Sequence, residues 1–172
     1  MSEKSRNEVA PVSFGARLAS SQAFSVLFRD GMALVEETAG YLDGDGRRDS
    51  KRLERSAALA YATESMRLTT RLMQLASWLL LHRAVNEGEM SLAQASKEKA
   101  KVKLAAGDRG DGEMIAMLPD RLRDLIDRSM RLQERVRRLD TTIHSPGAVE
   151  ADGNPVERQV RILRAAFERE GT

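Results

Sequence analysis

Apolar residues recur at steps of three and four along three long stretches of the chain, which is the spacing of an amphipathic helix. The first stretch covers about residues 20–42 and begins at Ser20 or Ser21, either of which can cap a helix. Its periodic positions are Phe24, Leu27, Phe28, Gly31, Leu34, Val35, Thr38 and Leu42. The sequence DGDG at residues 43–46 then predicts a turn. A calcium loop does not fit there, because Arg47 and Arg48 interrupt the ligand positions and no glutamate closes the loop.

The second stretch predicts the longest helix, over about residues 50–87, with Asp49 or Ser50 as its cap. It carries two neighbouring apolar stripes, which together favour a central helix that packs against two others. One stripe consists of Leu59, Thr63, Met66, Thr70, Met73, Ser77 and Leu80. The other stripe consists of Tyr61, Ser65, Leu68, Leu72, Leu75 and Leu79.

The third stretch, over about residues 118–144, has the most regular pattern. Its apolar positions alternate steps of four and three without a break, as in a heptad repeat, and include one serine. They are Leu118, Leu122, Leu125, Ser129, Leu132, Val136, Leu139 and Ile143. Pro119 falls in the first turn, where its missing N–H costs little, and SPG at residues 145–147 ends the helix.

These patterns predict an all-α protein with an up-down-up three-helix bundle at residues 19–144 and a flexible arm at residues 1–18. The connector at residues 88–117 contains a capping box, in which Gln94 follows Ser91 by three positions, and then a lysine-rich run. A short docked helix and a mobile connector both fit this segment.

The C-terminal residues 145–172 predict a linker followed by a short amphipathic segment. Asn154 is a suitable cap, Pro155 suits the first helical position, and Glu157 completes a capping box. The contact stripe of this segment is Val156, Val160, Leu163 and Phe167. Such a narrow stripe is marginal alone in water, so we expect it to order on docking, to a partner or to its own bundle.

Composition places the chain among cytoplasmic proteins without a membrane span. Apolar residues make up 41%, enough for an economical core, and no apolar run reaches the roughly 18 residues of a spanning helix. The N-terminus lacks the apolar region of a signal peptide, and cysteine is absent, which excludes disulfides and thiolate metal sites.

The sequence predicts no enzyme, cofactor or metal. His82 and His144 lie on different predicted helices without the spacing that places two ligands on one helix face, and no nucleophile elbow or phosphate loop is present. Nucleic-acid binding through the arginine-rich third helix is the alternative. Three acid-first pairs four residues apart favour a solvated face instead: Asp124 with Arg128, Asp127 with Arg131, and Glu134 with Arg138.

An interaction surface is predicted at the end of the second helix. Its polar face, which includes Glu64 and Gln74, ends in Trp78, the only tryptophan, and the helix there is apolar almost all round. An apolar surface of this kind must be shielded from water by other residues. The cover could be the chain's own residues 91–106, a second copy or another protein. The candidate partner or dimer contacts are Trp78, Leu79, Leu81, His82, Arg67 and Arg71.

Three extended sequences carry a family resemblance: SFGARLASSQAFSVLFRDGMALVEETAGYLDGDGR, LERSAALAYATESMRLTTRLMQLASWLLLHRAVNEGEMS and LPDRLRDLIDRSMRLQERVRRLD. They are similar to the alphaproteobacterial regulator of CtrA degradation, a family also catalogued under a domain of unknown function. The resemblance covers about residues 13–144 and extends to the tail.

This resemblance implies a dimeric three-helix bundle that acts as a non-enzymatic adaptor of the ClpXP protease, with recruitment to a cell pole. The implied partners are a second copy, the protease with its response-regulator priming factor, protein substrates of the cell cycle, and a cyclic-di-GMP effector protein. The resemblance supplies no individual site residue, because its matches contain no catalytic motif.

Overall fold

The computed structural model describes residues 21–101 and 110–144, and these residues form helices without a strand. The six helices of the described ranges are α1 (Gln22–Asp43), α2 (Asp45–Lys51), α3 (Arg55–Asn86), α4 (Leu92–Lys101), α5 (Gly112–Ala116) and α6 (Asp120–His144). The predicted all-α class is confirmed. The predicted N-terminal arm and C-terminal tail lie outside the described residues.

The first helix begins as the sequence indicates, but the turn after it is short. Ser21 caps α1, since its Oγ accepts a hydrogen bond from the Phe24 N–H at 3.4 Å. At Gly44 the chain changes direction and continues at once into α2, so the prediction of a turn over residues 43–46 is wrong in part. The Tyr41 hydroxyl donates to Asp49 Oδ2 at 3.0 Å and ties α2 to the end of α1.

Neither Asp49 nor Ser50 caps the second long helix, because both belong to α2. The N-cap residue of α3 is Glu54, which has an extended backbone and whose side chain makes no capping hydrogen bond. The helix therefore starts about one turn later than the pattern of apolar residues suggested.

The three long helices pack against one another, but their directions differ from the predicted up-down-up path. Helix α1 is antiparallel to α6, because Glu37 pairs with Arg121 and Arg128 whereas Asp30 pairs with Arg135. It is also antiparallel to α3. At one end the Phe24 and Trp78 rings are 6.3 Å apart, and at the other the Tyr61 hydroxyl lies beside Gly46.

Helices α3 and α6 are consequently parallel, and the path is up-down-down. Arg71 bonds to Ser129, and about two to three turns further along both helices Trp78 bonds to Asp140. Short loops place consecutive helices antiparallel. The 33 residues that separate α3 from α6 are long enough to return along the whole of α3.

The connector makes this return in two docked pieces. The predicted capping box is present at the start of α4, where the Ser91 N–H donates to Gln94 Oε1 at 2.9 Å and the Gln94 N–H donates to Ser91 Oγ at 3.1 Å. Ala95 anchors α4 in the protein interior near the end of α3. At the opposite end, Gly110 approaches Glu64 so closely that a Cβ there would clash with the carboxylate.

The core lies between α1, α3 and α6. It uses one of the two stripes predicted for the second helix, because Leu68, Leu72, Leu75 and Leu79 are buried. The periodic positions of the third helix are buried or partly buried as predicted. None of the described helices is long and apolar enough to cross a membrane.

Candidate interaction surface

Trp78 does not belong to an exposed apolar surface around the end of α3. Its relative exposure is 0%, and its indole Nε1 donates to Asp140 Oδ1 of α6 at 2.7 Å. The Phe24 ring of α1 lies on one side, and the His82 ring stacks on the indole at a centroid distance of 3.9 Å. The polar face of α3 ends in a tryptophan because this face points inward and the indole meets a carboxylate from α6.

The inward orientation of this face also buries most of the residues that were predicted to contact a partner. Leu79 and His82 are almost completely buried, and Arg71 is 7% exposed, with its Nη1 donating to Ser129 Oγ at 2.9 Å. Arg67 is more exposed and pairs with the buried Glu64 at 2.9 Å. The expectation that Trp78, Leu79 and His82 meet a partner therefore needs correction, because the chain itself covers them.

Asp140 connects three helices at this end of the molecule, and it is not among the predicted contact residues. Beyond its bond to Trp78, its Oδ2 accepts a hydrogen bond from Lys99 Nζ of α4 at 2.5 Å. The side chains of Lys99 and Asp140 are 24% and 17% exposed. The ion pair is thus largely shielded from solvent, which makes it stronger than an exposed pair. The only indication in the sequence was the single tryptophan, because an indole that becomes buried usually needs an acceptor for its N–H.

Two histidines lie beside this network. The Nδ1 atoms of His82 and His144 contact the backbone oxygens of Trp78 and Asp140 at 2.9 and 3.0 Å, and their rings meet edge to face at 5.4 Å. Burial lowers the pKa of His82. Ligand atoms of His82, Asp140 and His144 lie within 4.8 Å of one another, but the Lys99 ammonium already neutralises the carboxylate.

Most arginines of α6 pair with acids of α1 or of α6 itself. Glu37 of α1 accepts hydrogen bonds from Arg121 at 2.8 Å and Arg128 at 2.7 Å, and the bond from Arg128 lowers the pKa of Glu37 despite some desolvation. The predicted pairs of Arg128 with Asp124 and Arg138 with Glu134 are present at 3.2 and 3.1 Å, whereas the predicted pair of Arg131 with Asp127 is not among the ion pairs of the described residues. This neutralisation disfavours a phosphate-binding face on α6.

The exposed apolar surface of the described residues lies elsewhere, on the side of α3 that faces away from α1 and α6. This surface is one of the two stripes of the second helix that were predicted to pack against other helices, and for this stripe the prediction is wrong. Leu59, Met66, Met73 and Leu80 are 65%, 72%, 66% and 53% exposed. Small or hydroxyl-bearing residues lie between them. We call this set the outer face of α3: Leu59, Ala62, Thr63, Met66, Thr69, Thr70, Met73, Ala76, Ser77 and Leu80.

The outer face contains no charged residue, whereas the exposed sides of α1 and α6 are rich in charge. Between Ser56 and Leu81, the charged residues of α3 are Glu64, Arg67 and Arg71, which lie on the opposite side or at the margin of the helix. Near α4 the face borders a groove lined by Ser77, Leu80, Leu81, Ala84, Glu98 and Lys101. A contiguous exposed apolar surface of this kind is typical of a protein interface.

The stripe Val156, Val160, Leu163 and Phe167 lies outside the described residues, so the predicted tail contact stays a prediction. Of the predicted contacts, Leu81 alone lines the groove beside the outer face. The sequence carried a signal for the outer face that was not used, namely the absence of charge along a stripe with a regular spacing of seven residues.

Comparisons with known proteins agree with the resemblance. The sequence profile of the family described as "Protein of unknown function (DUF1465)" matches residues 15–167. A crystal structure of RcdA from Caulobacter crescentus CB15 is 52% identical over 77% of this chain and 99% of that chain, with a TM-score of 0.63. No curated protein sequence gives a significant match.

Proposed function

The chain belongs to the family described as protein of unknown function DUF1465, and on that premise we propose that it is a non-enzymatic adaptor in regulated proteolysis. The similarity to RcdA supports this assignment, since the two chains are 52% identical over nearly all of that protein. The adaptor would hold protein substrates of the cell cycle near the ClpXP protease, with a response regulator as the priming factor and a cyclic-di-GMP effector protein as a further partner.

The observation that carries the proposal is the charge-free outer face of α3. An adaptor needs surfaces that bind proteins, and an exposed stripe with four large apolar residues is unfavourable in water unless another surface covers it. We propose that the protein is a homodimer, so that one exposed apolar surface is buried while the charged sides of α1 and α6 stay accessible to other partners.

Tethering supplies the mechanism. A substrate and a protease that bind the same adaptor meet at the effective concentration set by the linkage between their sites, without a chemical step in the adaptor. We propose that Val156, Val160, Leu163 and Phe167 form one of these contacts. A segment that orders on binding forfeits part of its binding energy, which keeps the contact reversible and allows cargo to be released.

The test is a reconstituted degradation reaction with protease, priming factors and a substrate, in which residues 145–172 are deleted. We expect an unchanged melting temperature and slower degradation. A matched control keeps the full length and replaces Val156, Val160, Leu163 and Phe167 with serine, which separates loss of the apolar stripe from loss of chain length.

Two results would contradict the proposal. Full activity of both variants would show that the tail is not a contact for that substrate. If the intact protein does not change the degradation rate of any cell-cycle substrate under priming conditions, the adaptor function itself is wrong.

A further inference from the structure

The order of residues along the outer face of α3 is symmetric. Leu59, Met66, Met73 and Leu80 follow one another at a constant spacing of seven residues, so the order of residue types is leucine, methionine, methionine, leucine. This order is the same in both directions along the helix. Its midpoint lies between two threonines, Thr69 and Thr70.

The smaller residues of the face follow the same symmetry. Ala62 and Ser77 are equally distant from the midpoint, and so are Thr63 and Ala76. A twofold interface brings the same surface of two subunits together, so it must be complementary to itself. An antiparallel helix pair meets this condition when its residue pattern reads alike in both directions, and a partner of a different sequence would not require it.

We propose that two copies of this chain pair through the outer faces of α3 in antiparallel orientation, about a twofold axis that passes between Thr69 and Thr70. The inference rests on the homodimer in the proposed function and adds its surface and symmetry. Met66 of each copy then lies level with the partner's Met73, and Leu59 lies level with the partner's Leu80. Large side chains meet large ones along the seam, and the small residues between them allow close approach of the helices.

The charges and dipoles of α3 are compatible with this arrangement. No charged residue lies on the outer face, so two copies can meet without burying an unpaired charge. In an antiparallel pair, the N-terminus of each α3 lies beside the C-terminus of the other, which brings helix ends of opposite partial charge together.

Cysteine cross-linking tests both the face and the direction, because the chain contains no native cysteine. In the antiparallel pair, the two copies of residue 70 lie almost level across the axis, so Thr70→Cys alone is expected to form a covalent dimer under mild oxidation. Two copies of residue 66 are seven positions apart along the helix, about 10 Å at the helical rise. This separation exceeds the Cα distance of about 7 Å that a disulfide spans.

The matched set is therefore Met66→Cys, Met73→Cys and the double variant. We expect each single variant to stay uncross-linked and the double variant to form a dimer on a non-reducing gel. Arg131→Cys, on the exposed side of α6, serves as the control for random collisions. As an independent measurement, Met66→Glu with Met73→Glu should halve the mass seen by light scattering without loss of helical content.

The outcomes separate this inference from the proposed function. A cross-link from Met66→Cys alone would overturn the antiparallel direction in favour of a parallel one. A parent protein that is dimeric but whose Thr70→Cys variant does not cross-link would place the interface elsewhere and leave the homodimer standing. A monomeric parent protein, whether its α3 is covered by residues 145–172 or by another protein, would remove both the pairing and the homodimer. The degradation assay would still test the adaptor function.

Discussion

Replacement of Asp140 by alanine tests the inward orientation of the polar side of α3. The substitution removes the acceptor of the Trp78 indole N–H, which has no access to water, and the partner of Lys99. A buried donor left without a partner costs about 1–3 kcal/mol. Loss of a shielded ion pair adds to this, by more than the roughly 0–1 kcal/mol of a surface pair. We expect Asp140→Ala to lower the free energy of unfolding by about 2–4 kcal/mol.

Two further variants separate the contribution of the indole hydrogen bond from that of the ion pair. Asp140→Asn keeps an acceptor for Trp78 and loses the charge that pairs with Lys99, so it should be clearly more stable than Asp140→Ala. Lys99→Met removes the ion pair from the other side. A double-mutant cycle between positions 99 and 140, measured by urea unfolding with tryptophan fluorescence, gives the coupling energy.

Unfolding of Asp140→Ala at the same urea concentration as the parent protein would contradict a stabilising role of Asp140. An equal loss of stability in Asp140→Asn and Asp140→Ala would show that the acceptor for the indole N–H contributes nothing. A coupling energy near zero would show that Lys99 and Asp140 lie close together but do not stabilise the fold through their interaction.

Three other predictions concern the core. Leu125→Ala and Leu132→Ala should each cost about 2–5 kcal/mol in urea unfolding, as for other buried leucines, and near-parental stability of both would contradict the bundle core. Gly31→Ala places a Cβ 2.5 Å from Cδ1 of the buried Leu79, and the overpacking of about 1–3 kcal/mol should outweigh the roughly 1 kcal/mol that alanine gains over glycine in a helix, so the variant should be less stable than the parent protein in the same assay. Because burial lowers the pKa of His82 in the folded state, the unfolded chain binds more protons below the ordinary pKa of 6.5. The stability should therefore be complete above this pH and fall on acidification. His82→Gln should flatten this part of the pH profile, and an unchanged profile would count against the burial argument.

The all-α class and the three long helices were predictable because their apolar spacing is regular over many turns. The orientation of α3 was not, since both of its stripes look suitable for a core. Its polar side turns inward because α6 supplies Ser129 and Asp140 as partners for Arg71 and Trp78. Such partners become evident only when two distant segments are brought together.

The path of the chain was predicted incorrectly for a related reason. A connector of 33 residues permits both a short crossing to an antiparallel neighbour and a return along α3. Contacts of Lys99 with Asp140 and of Gly110 with Glu64 determine the second path, and neither pair has a local sequence signal. The turn predicted at residues 43–46 is shortened to Gly44, because a glycine-rich sequence also permits a short break followed by a new helix.

The candidate interaction surface was in the sequence but was assigned to the interior. A stripe with leucine or methionine at every seventh position satisfies the pattern of a core and that of an interface equally well. What distinguishes the two is whether the chain has enough other surface to cover the stripe, and in the described residues α1 and α6 both pack on the opposite side of α3.

The most direct test of the adaptor function is the rate of substrate degradation as a function of adaptor concentration, at fixed protease and fixed low substrate. A tether must bind substrate and protease at the same time. We therefore expect the rate to rise, pass through a maximum and fall again when excess adaptor occupies substrate and protease separately. A rate that rises to a plateau and stays there would contradict tethering and indicate an activator of the protease, and a rate independent of the protein would contradict any role in proteolysis.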